Sequence, residues 1–273
     1  MEALRSLFRV YIYGSIHVAV SVLCLVLMTY HMFRLPVYWP LAAFAFCGTV
    51  FSYNFMKYDG LFRVKRQASR TVKFIVAMST LALVIAGVCF FMLEFKTQVT
   101  AVGILALTAL YTVPFFPNQK NLRNWSGIKI YLVAFCWAGV TTVLPLVNAD
   151  VALGTDAWLK FVQRFLLIIV LILIFEIIDL KEDDPHLKTI PQQIGVKRTK
   201  ILNILLLIPF YCLELFKTAV DVNQLYINII LVAAVAAFTL FASPHRHKYY
   251  TLLWVESIPV VWYALVVLVA SFI

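Results

Sequence analysis

Between Phe175 and Gly195 the chain reads FEIIDLKEDDPHLKTIPQQIG, and five of its 13 acidic residues crowd into nine positions there: Glu176, Asp179, Glu182, Asp183 and Asp184. They follow directly on the apolar run Phe165–Phe175. Carboxylates at the end of an apolar helix are costly to place, and they attract a cation or a polar substrate. If that helix continues, Glu176, Asp179 and Asp183 stand at i, i+3 and i+7 and share one face. Hard carboxylate oxygens suit magnesium, which takes one or two of them and completes its shell with water and phosphate. Lys188, Lys197, Arg198 and Lys200 follow closely and could meet phosphate oxygens. The same charges would also serve as a solvated, salt-bridged loop, and charge alone leaves both readings open.

The elements that must carry these residues are apolar. Hydrophobic residues make up 63% of the 273-residue chain and charged ones 13%, which argues against a soluble globule. Nine runs approach bilayer length: Tyr11–Tyr30, Trp39–Asn54, Phe74–Leu93, Val99–Phe116, Ile128–Val147, Trp158–Ile178, Ile201–Phe216, Leu225–Phe241 and Tyr250–Ile273. The expected architecture is all-α, a polytopic membrane bundle of about nine transmembrane helices forming a single domain over residues 1–273. The first run reads as a span rather than a cleavable signal. With the N-terminus cytosolic and the C-terminus outside, 18 of the 23 basic residues fall in inside segments, leaving Arg34, Lys96, Lys160, Arg164 and Lys217 outside. That asymmetry follows the positive-inside rule. The formal charge of +10 is thus assigned to topology and the lipid bilayer rather than to nucleic acid, since no basic groove is evident. Cys24, Cys47, Cys89, Cys136 and Cys212 lie in apolar runs without paired spacing and read as packing residues.

An acidic triplet followed by Lys188-Thr189-Ile190-Pro191 and then Ile194-Gly195 resembles the second signature of the UbiA superfamily of intramembrane prenyltransferases. That signature runs D-x-x-D-x-x-x-D, a short spacer, a K-T-L-P-like turn and a Leu/Ile-Gly pair. Glu176, Asp179 and Asp183 match its acidic positions, with Glu for the first Asp; the spacer is one residue shorter than usual and lacks its common glycine. The segment LYTVPFFPNQKNLRNWSGIKIYLVAFCWAGVTTVLP, with Tyr111, Lys120, Arg123, Lys129, Trp137 and Pro145, is similar to the family's fourth and fifth helices. The first signature, N-D-x-x-D-x-x-x-D, is degenerate: NFMKYDGLF stands in its place. Asn54 is retained, but Phe55, Tyr58 and Phe62 occupy the carboxylate positions, and Asp59 is one residue out of register, a rotation of about 100° on a helix.

The resemblance implies a UbiA-like bundle that moves a prenyl group from an allylic prenyl diphosphate to an aromatic or other lipophilic acceptor. Asp179 and Asp183 would be the catalytic carboxylates and, with Glu176, the ligands of Mg2+, which would assist departure of the diphosphate. Asn54, Lys57, Lys120, Arg123 and Lys188 would bind substrate. Lys57 and Arg63 could replace part of a second cation's charge. Tyr53, Tyr58, Tyr111 and Trp137 are candidate shields for an allylic cation. The alternative is a non-catalytic UbiA-like membrane protein that binds an isoprenoid lipid or a partner. His245 and His247 read as a solvated loop and His17 as a packing histidine. Glu256, near Trp254, Ser257 and Pro259, could mark a polar cavity wall. A transporter would need half-helix pairs or inverted repeats, and neither is evident.

Overall fold

The computed structural model describes residues 2–63, 69–112 and 128–271, and the described residues contain helices without strands. In chain order they are α1 (Glu2–Tyr13), α2 (Ile16–Met32), α3 (Trp39–Arg63), α4 (Arg70–Phe91), α5 (Phe95–Thr112), α6 (Ile128–Ala138), α7 (Leu144–Asn148) and α8 (Thr155–Asp179). The short α9 (Ile190–Ile194) follows, then α10 (Val196–Cys212), α11 (Val222–Phe241) and α12 (Ile258–Ala270). π-helical turns at Gly139–Val143 and Tyr250–Val255 join α6 to α7 and lead into α12.

All nine apolar runs are helical over most of their length. Among the described residues, six helices are long and apolar enough to cross a membrane: Arg70–Phe91, Lys129–Asn148, Thr155–Asp179, Val196–Phe216, Val222–Phe241 and Tyr250–Ala270. A seventh arises if Leu7–Tyr13 and Ile16–Met32, bent by 60°, act as one span. The expected nine are therefore not all matched as qualifying spans among the described residues. Phe95–Thr108 is short, and α3 is diluted by Ser52, Tyr53 and Asn54. Large apolar side chains such as Leu81, Val84, Val88 and Phe91 on α4 point outward. The fold is an integral membrane helix bundle, whose outer faces are apolar because lipid solvates them.

α2 and α8 form the centre. α8 packs against α6 and α10, and α2 against α3, α12 and the Gly139–Val143 turn. Leu167, Val170, Ile174 and Ile177 of α8 are fully buried, as are Leu25 and Met28 of α2. Two local rules shape these helices. At Gly14 a side chain would meet the Val10 carbonyl at 2.4 Å, and Ser15 takes φ 58, so the chain breaks between α1 and α2. At Pro145 the missing N–H leaves the Thr141 carbonyl free of its i+4 donor. Thr29 Oγ1 (2.6 Å) and Arg164 Nη1 (2.8 Å) donate to it instead, tying α2 and α8 to the π-helical turn. Lys160 and Arg164, assigned to an outside segment from sequence, are in fact buried within α8. All five cysteines are free.

Candidate functional site

The carboxylates are delivered by the end of α8. The helix stops at Asp179, Leu180 keeps helical angles (φ −48, ψ −33), and the amides of Glu182 and Asp183 fold back onto the Asp179 carbonyl at 2.8 and 2.9 Å. The continuous helix expected through Asp183 is thus replaced by a turn. The turn preserves the outcome of that geometry, since Glu176, Asp179 and Asp183 all line one cavity.

The segment after them is folded around Glu176. Its buried carboxylate accepts from the Ile190 amide at 3.1 Å, which is an unpaired donor at the start of α9. The Thr189 amide is taken by Gln192 Oε1 at 3.0 Å, Pro191 sits in the first turn, and Gly195 at φ +80 ends the helix. A left-handed residue there reverses the chain into α10, and glycine does so without strain. The Thr-Ile-Pro and Ile-Gly elements are therefore a corner that one glutamate locks to α8. Further out, Glu182 pairs with Lys248, and Lys181 Nζ lies 3.1 Å from His245 Nδ1, joining this corner to the loop before α12. The Glu182 carboxylate holds Lys248 above the ordinary lysine range.

The cavity has a volume of about 380 Å³, within the range of small-molecule sites. Its polar rim is Glu176, Asp179, Asp183 and Lys129, and the Lys129 charge acts on both Glu176 and Asp179. Its body is apolar, walled by Ile168, Leu171, Ile172 and Phe175 of α8, Val22 of α2 and Val140 of the π-helical turn. Opposite them, Thr49, Ser52, Tyr53 and Met56 stand at i, i+3, i+4 and i+7 along one stripe of α3. Trp137 donates its indole N–H to the Tyr53 hydroxyl at 2.9 Å. Glu256 and Pro259, where the second π-helical turn gives way to α12, complete the wall.

The sequence-derived candidates separate in space. Asp179, Asp183 and Glu176 come together. Asn54 is buried away from the cavity, where its amide donates to the Gly14 carbonyl (2.9 Å) and Ser79 Oγ (2.8 Å) and its oxygen accepts from Ser15 (2.8 Å). It holds the α1–α2 break to α3 and α4. Lys57 is exposed, donating to the Tyr13 carbonyl at 3.2 Å and lying over the Tyr13 ring. Lys188 is exposed at φ 46 and does not line the cavity. Lys120, Arg123 and Tyr111 lie outside the residues described, in main chain or side chain. Phe55 faces outward, stacked on Phe51 at 5.8 Å, and the Tyr58 hydroxyl donates to the Tyr13 carbonyl at 3.0 Å. Neither supplies an oxygen ligand from α3. Lys129 was visible in the sequence as an inside cation; its signal as a site residue is its place in the first turn of α6, which packs against α8.

Among the described residues, no three His, Cys, Asp or Glu side chains converge closely enough to hold a metal by themselves. Hard oxygen donors on an open rim still fit magnesium, which relies on one or two carboxylates and on phosphate.

No protein-family model and no curated protein sequence matches this chain. Among solved structures, a UbiA homolog from Archaeoglobus fulgidus bound to GPP and Mg2+ superposes with a TM-score of 0.56 at 12% identity, covering 96% of this chain and 96% of that chain. A structure of a UbiA homolog from the same organism bound to Cd2+ gives a TM-score of 0.56 at 14% identity, covering 95% and 99%. This likeness shows a shared fold that runs the length of both chains.

Proposed function

We propose that this protein is a membrane prenyltransferase that binds an allylic prenyl diphosphate with its head at the acidic rim and its tail in the apolar chamber, and passes the prenyl group to a lipophilic acceptor. The observation that carries this reading is the amphiphilic cavity itself. A charged rim of three carboxylates and one lysine opens into a chamber walled by α8 and the Val140 turn, and it suits a ligand that is anionic at one end and hydrocarbon at the other. The GPP and Mg2+ held by the Archaeoglobus fulgidus homolog add to the reading.

Asp179 and Asp183 would hold Mg2+, with the second oxygen of Glu176 in reserve because the first is engaged by Ile190. A bound divalent ion supplies Lewis-acid relief of charge on a departing diphosphate. Lys129 contributes a positive charge at the same rim, with Lys120 and Arg123 as further diphosphate contacts. The apolar chamber excludes water from the reacting carbon, and Trp137 presents a ring to it. The rim faces the cytosol, with the N-terminus inside and the C-terminus outside, following the basic residues of the inside loops.

One observation favours a second reading. Phe55 and Tyr58, which stand at two carboxylate positions of the first signature, bring no carboxylate from α3, as in a protein that only binds an isoprenoid lipid. Binding of a non-ionisable allylic diphosphate analogue to the purified protein, with and without magnesium, separates the two. Magnesium-dependent affinity supports transfer, and affinity indifferent to metal supports the lipid scaffold.

A further inference from the structure

The last turn of α11 carries no basic residue of its own, yet its four terminal carbonyls, which a helix leaves without intrahelical donors, are all met. The Ala242 amide folds back to the Thr239 carbonyl at 3.3 Å, and the Tyr250 hydroxyl donates to that of Phe238 at 2.7 Å. Lys200 Nζ, from α10, donates to the Leu240 carbonyl at 2.7 Å. Arg246 Nε, from the loop before α12, donates to the Phe241 carbonyl at 3.2 Å. Two cations from separate elements thus converge on consecutive carbonyls at the negative end of α11. Each uses one N–H there. Lys200 keeps two more, and the Arg246 guanidinium, lying over the Tyr250 ring at 5.5 Å, keeps its Nη donors.

Capping accounts for those two bonds but not for the charge gathered around them. Lys197 stands one turn before Lys200 on α10, with Arg198 next to it. Like charges at that spacing repel, and cations in the first turns of a helix oppose its dipole. None of the four meets a carboxylate among the described residues, whereas Lys248, two positions from Arg246, has Glu182. Positive-inside placement sets the sign of this end of the bundle and is indifferent to where on that end the cations lie. The surface beside them is apolar. The side chains of Leu240 and Phe241 are exposed, as are Ile201, next to Lys200, and Ile208 further along α10. α10 and α11 pack on each other, and acyl chains solvate the outer faces of such a bundle. None of these residues lines the cavity.

We infer that the corner made by Lys200 and Arg246, with Lys197 beside it, binds an anionic phospholipid of the surrounding bilayer. The phosphate sits on the remaining N–H donors, and the acyl chains run over Ile201, Leu240 and Phe241. Charge-assisted hydrogen bonds to phosphate oxygens are the strong ones, and each cation near a membrane surface adds about fivefold to the affinity for an anionic lipid. A zwitterionic lipid brings its own cation to the phosphate and gains less. A free phosphate lacks the hydrocarbon that covers the exposed apolar side chains. The site is separate from the acidic rim and does not depend on the transferase reading.

The test is lipid binding to the full-length protein, delipidated in one detergent, with dioleoyl phosphatidylglycerol and dioleoyl phosphatidylcholine titrated separately. Phosphatidylglycerol should bind roughly tenfold tighter or better. Lys200→Gln/Arg246→Gln retains side-chain N–H donors while removing both charges, and should bring the preference below about threefold. Arg70→Ala/Lys73→Ala removes two exposed cations at the start of α4 and should leave the preference intact. Lys197→Gln, which loses no partner among the described residues, should lower it roughly two- to fivefold, and it decides the matter should the double variant fail to fold. Glycerol phosphate at millimolar concentration should not displace the phospholipid. Equal affinity for the two lipids, equal losses in the two double variants, no change in Lys197→Gln, or displacement by glycerol phosphate would each overturn the site.

Discussion

The two ends of α8 carry polar residues in opposite styles. Toward its start, Lys160, Gln163 and Arg164 are buried and bound into the bundle. Lys160 Nζ donates to Gln163 (2.7 Å) and Glu214 (3.3 Å), Gln163 donates to Glu214 (2.9 Å) and to the Phe210 carbonyl (3.1 Å), and Asn228 donates to Glu214 (3.2 Å). Lys217 completes the ring around the same glutamate. Arg164 Nη1 reaches the Leu25 carbonyl at 2.7 Å and Thr29 Oγ1 at 2.9 Å. Toward its finish, Glu176, Asp179 and Asp183 border a cavity, and the Asp179 carboxylate takes no hydrogen bond among the described residues. Lys160, Gln163, Asn228 and Lys217 turn their donors onto one glutamate, and a polar cluster closed on itself in this way joins helices together. A cluster that leaves a carboxylate such as Asp179 facing a cavity keeps oxygens available to a ligand.

That contrast can be broken from either side. The largest effect is expected at the closed end. Glu214→Ala removes the anion from buried Lys160 and strips acceptors from Gln163 and Asn228, which should cost about 3–5 kcal/mol. Unfolding in detergent should fall steeply, while magnesium-dependent affinity per folded molecule stays unchanged. A loss of affinity without a loss of stability would erase the distinction between the two ends. Asn54→Ala comes next. It removes a buried amide with three partners and should cost roughly 1–3 kcal/mol of stability. It too should leave analogue affinity intact, and a selective loss of binding would restore Asn54 as a substrate contact. The smallest effect belongs to Lys248→Ala, whose pair with Glu182 is solvent-exposed on both sides. Such pairs are worth less than about 1 kcal/mol, and the melting temperature should move little.

The sequence was informative where the pattern was local. The run of apolar residues into Glu176 announces α8, and the i, i+3, i+7 spacing brings three carboxylates to one rim even though a turn replaces the last stretch of helix. Thr189, Pro191 and Gly195 carry capping and reversal chemistry that is legible residue by residue. Less was legible where the structure depends on distant partners. Asn54 looks like a polar residue at a span end; that it is consumed by Gly14, Ser15 and Ser79 requires knowing that α1 breaks from α2. Lys160 and Arg164 read as outside cations at the start of the run Trp158–Ile178, and only Glu214, fifty or more positions away, and the freed Thr141 carbonyl explain their burial. The π-helical turn before Glu256 has no sequence signal comparable to a proline or a glycine, although Glu256 and Pro259 were legible as a polar cavity wall and both line the cavity.

The most direct test of an open, ligating rim is the affinity of the non-ionisable allylic diphosphate analogue in wild type and in Asp179→Asn/Asp183→Asn, each with magnesium and with chelator. The rim predicts that magnesium tightens binding at least tenfold in the wild type, about 1.4 kcal/mol, and that the double substitution abolishes this gain while the melting temperature stays within a few degrees. Binding that ignores the metal in the wild type, or a metal response that survives the double substitution, would contradict it.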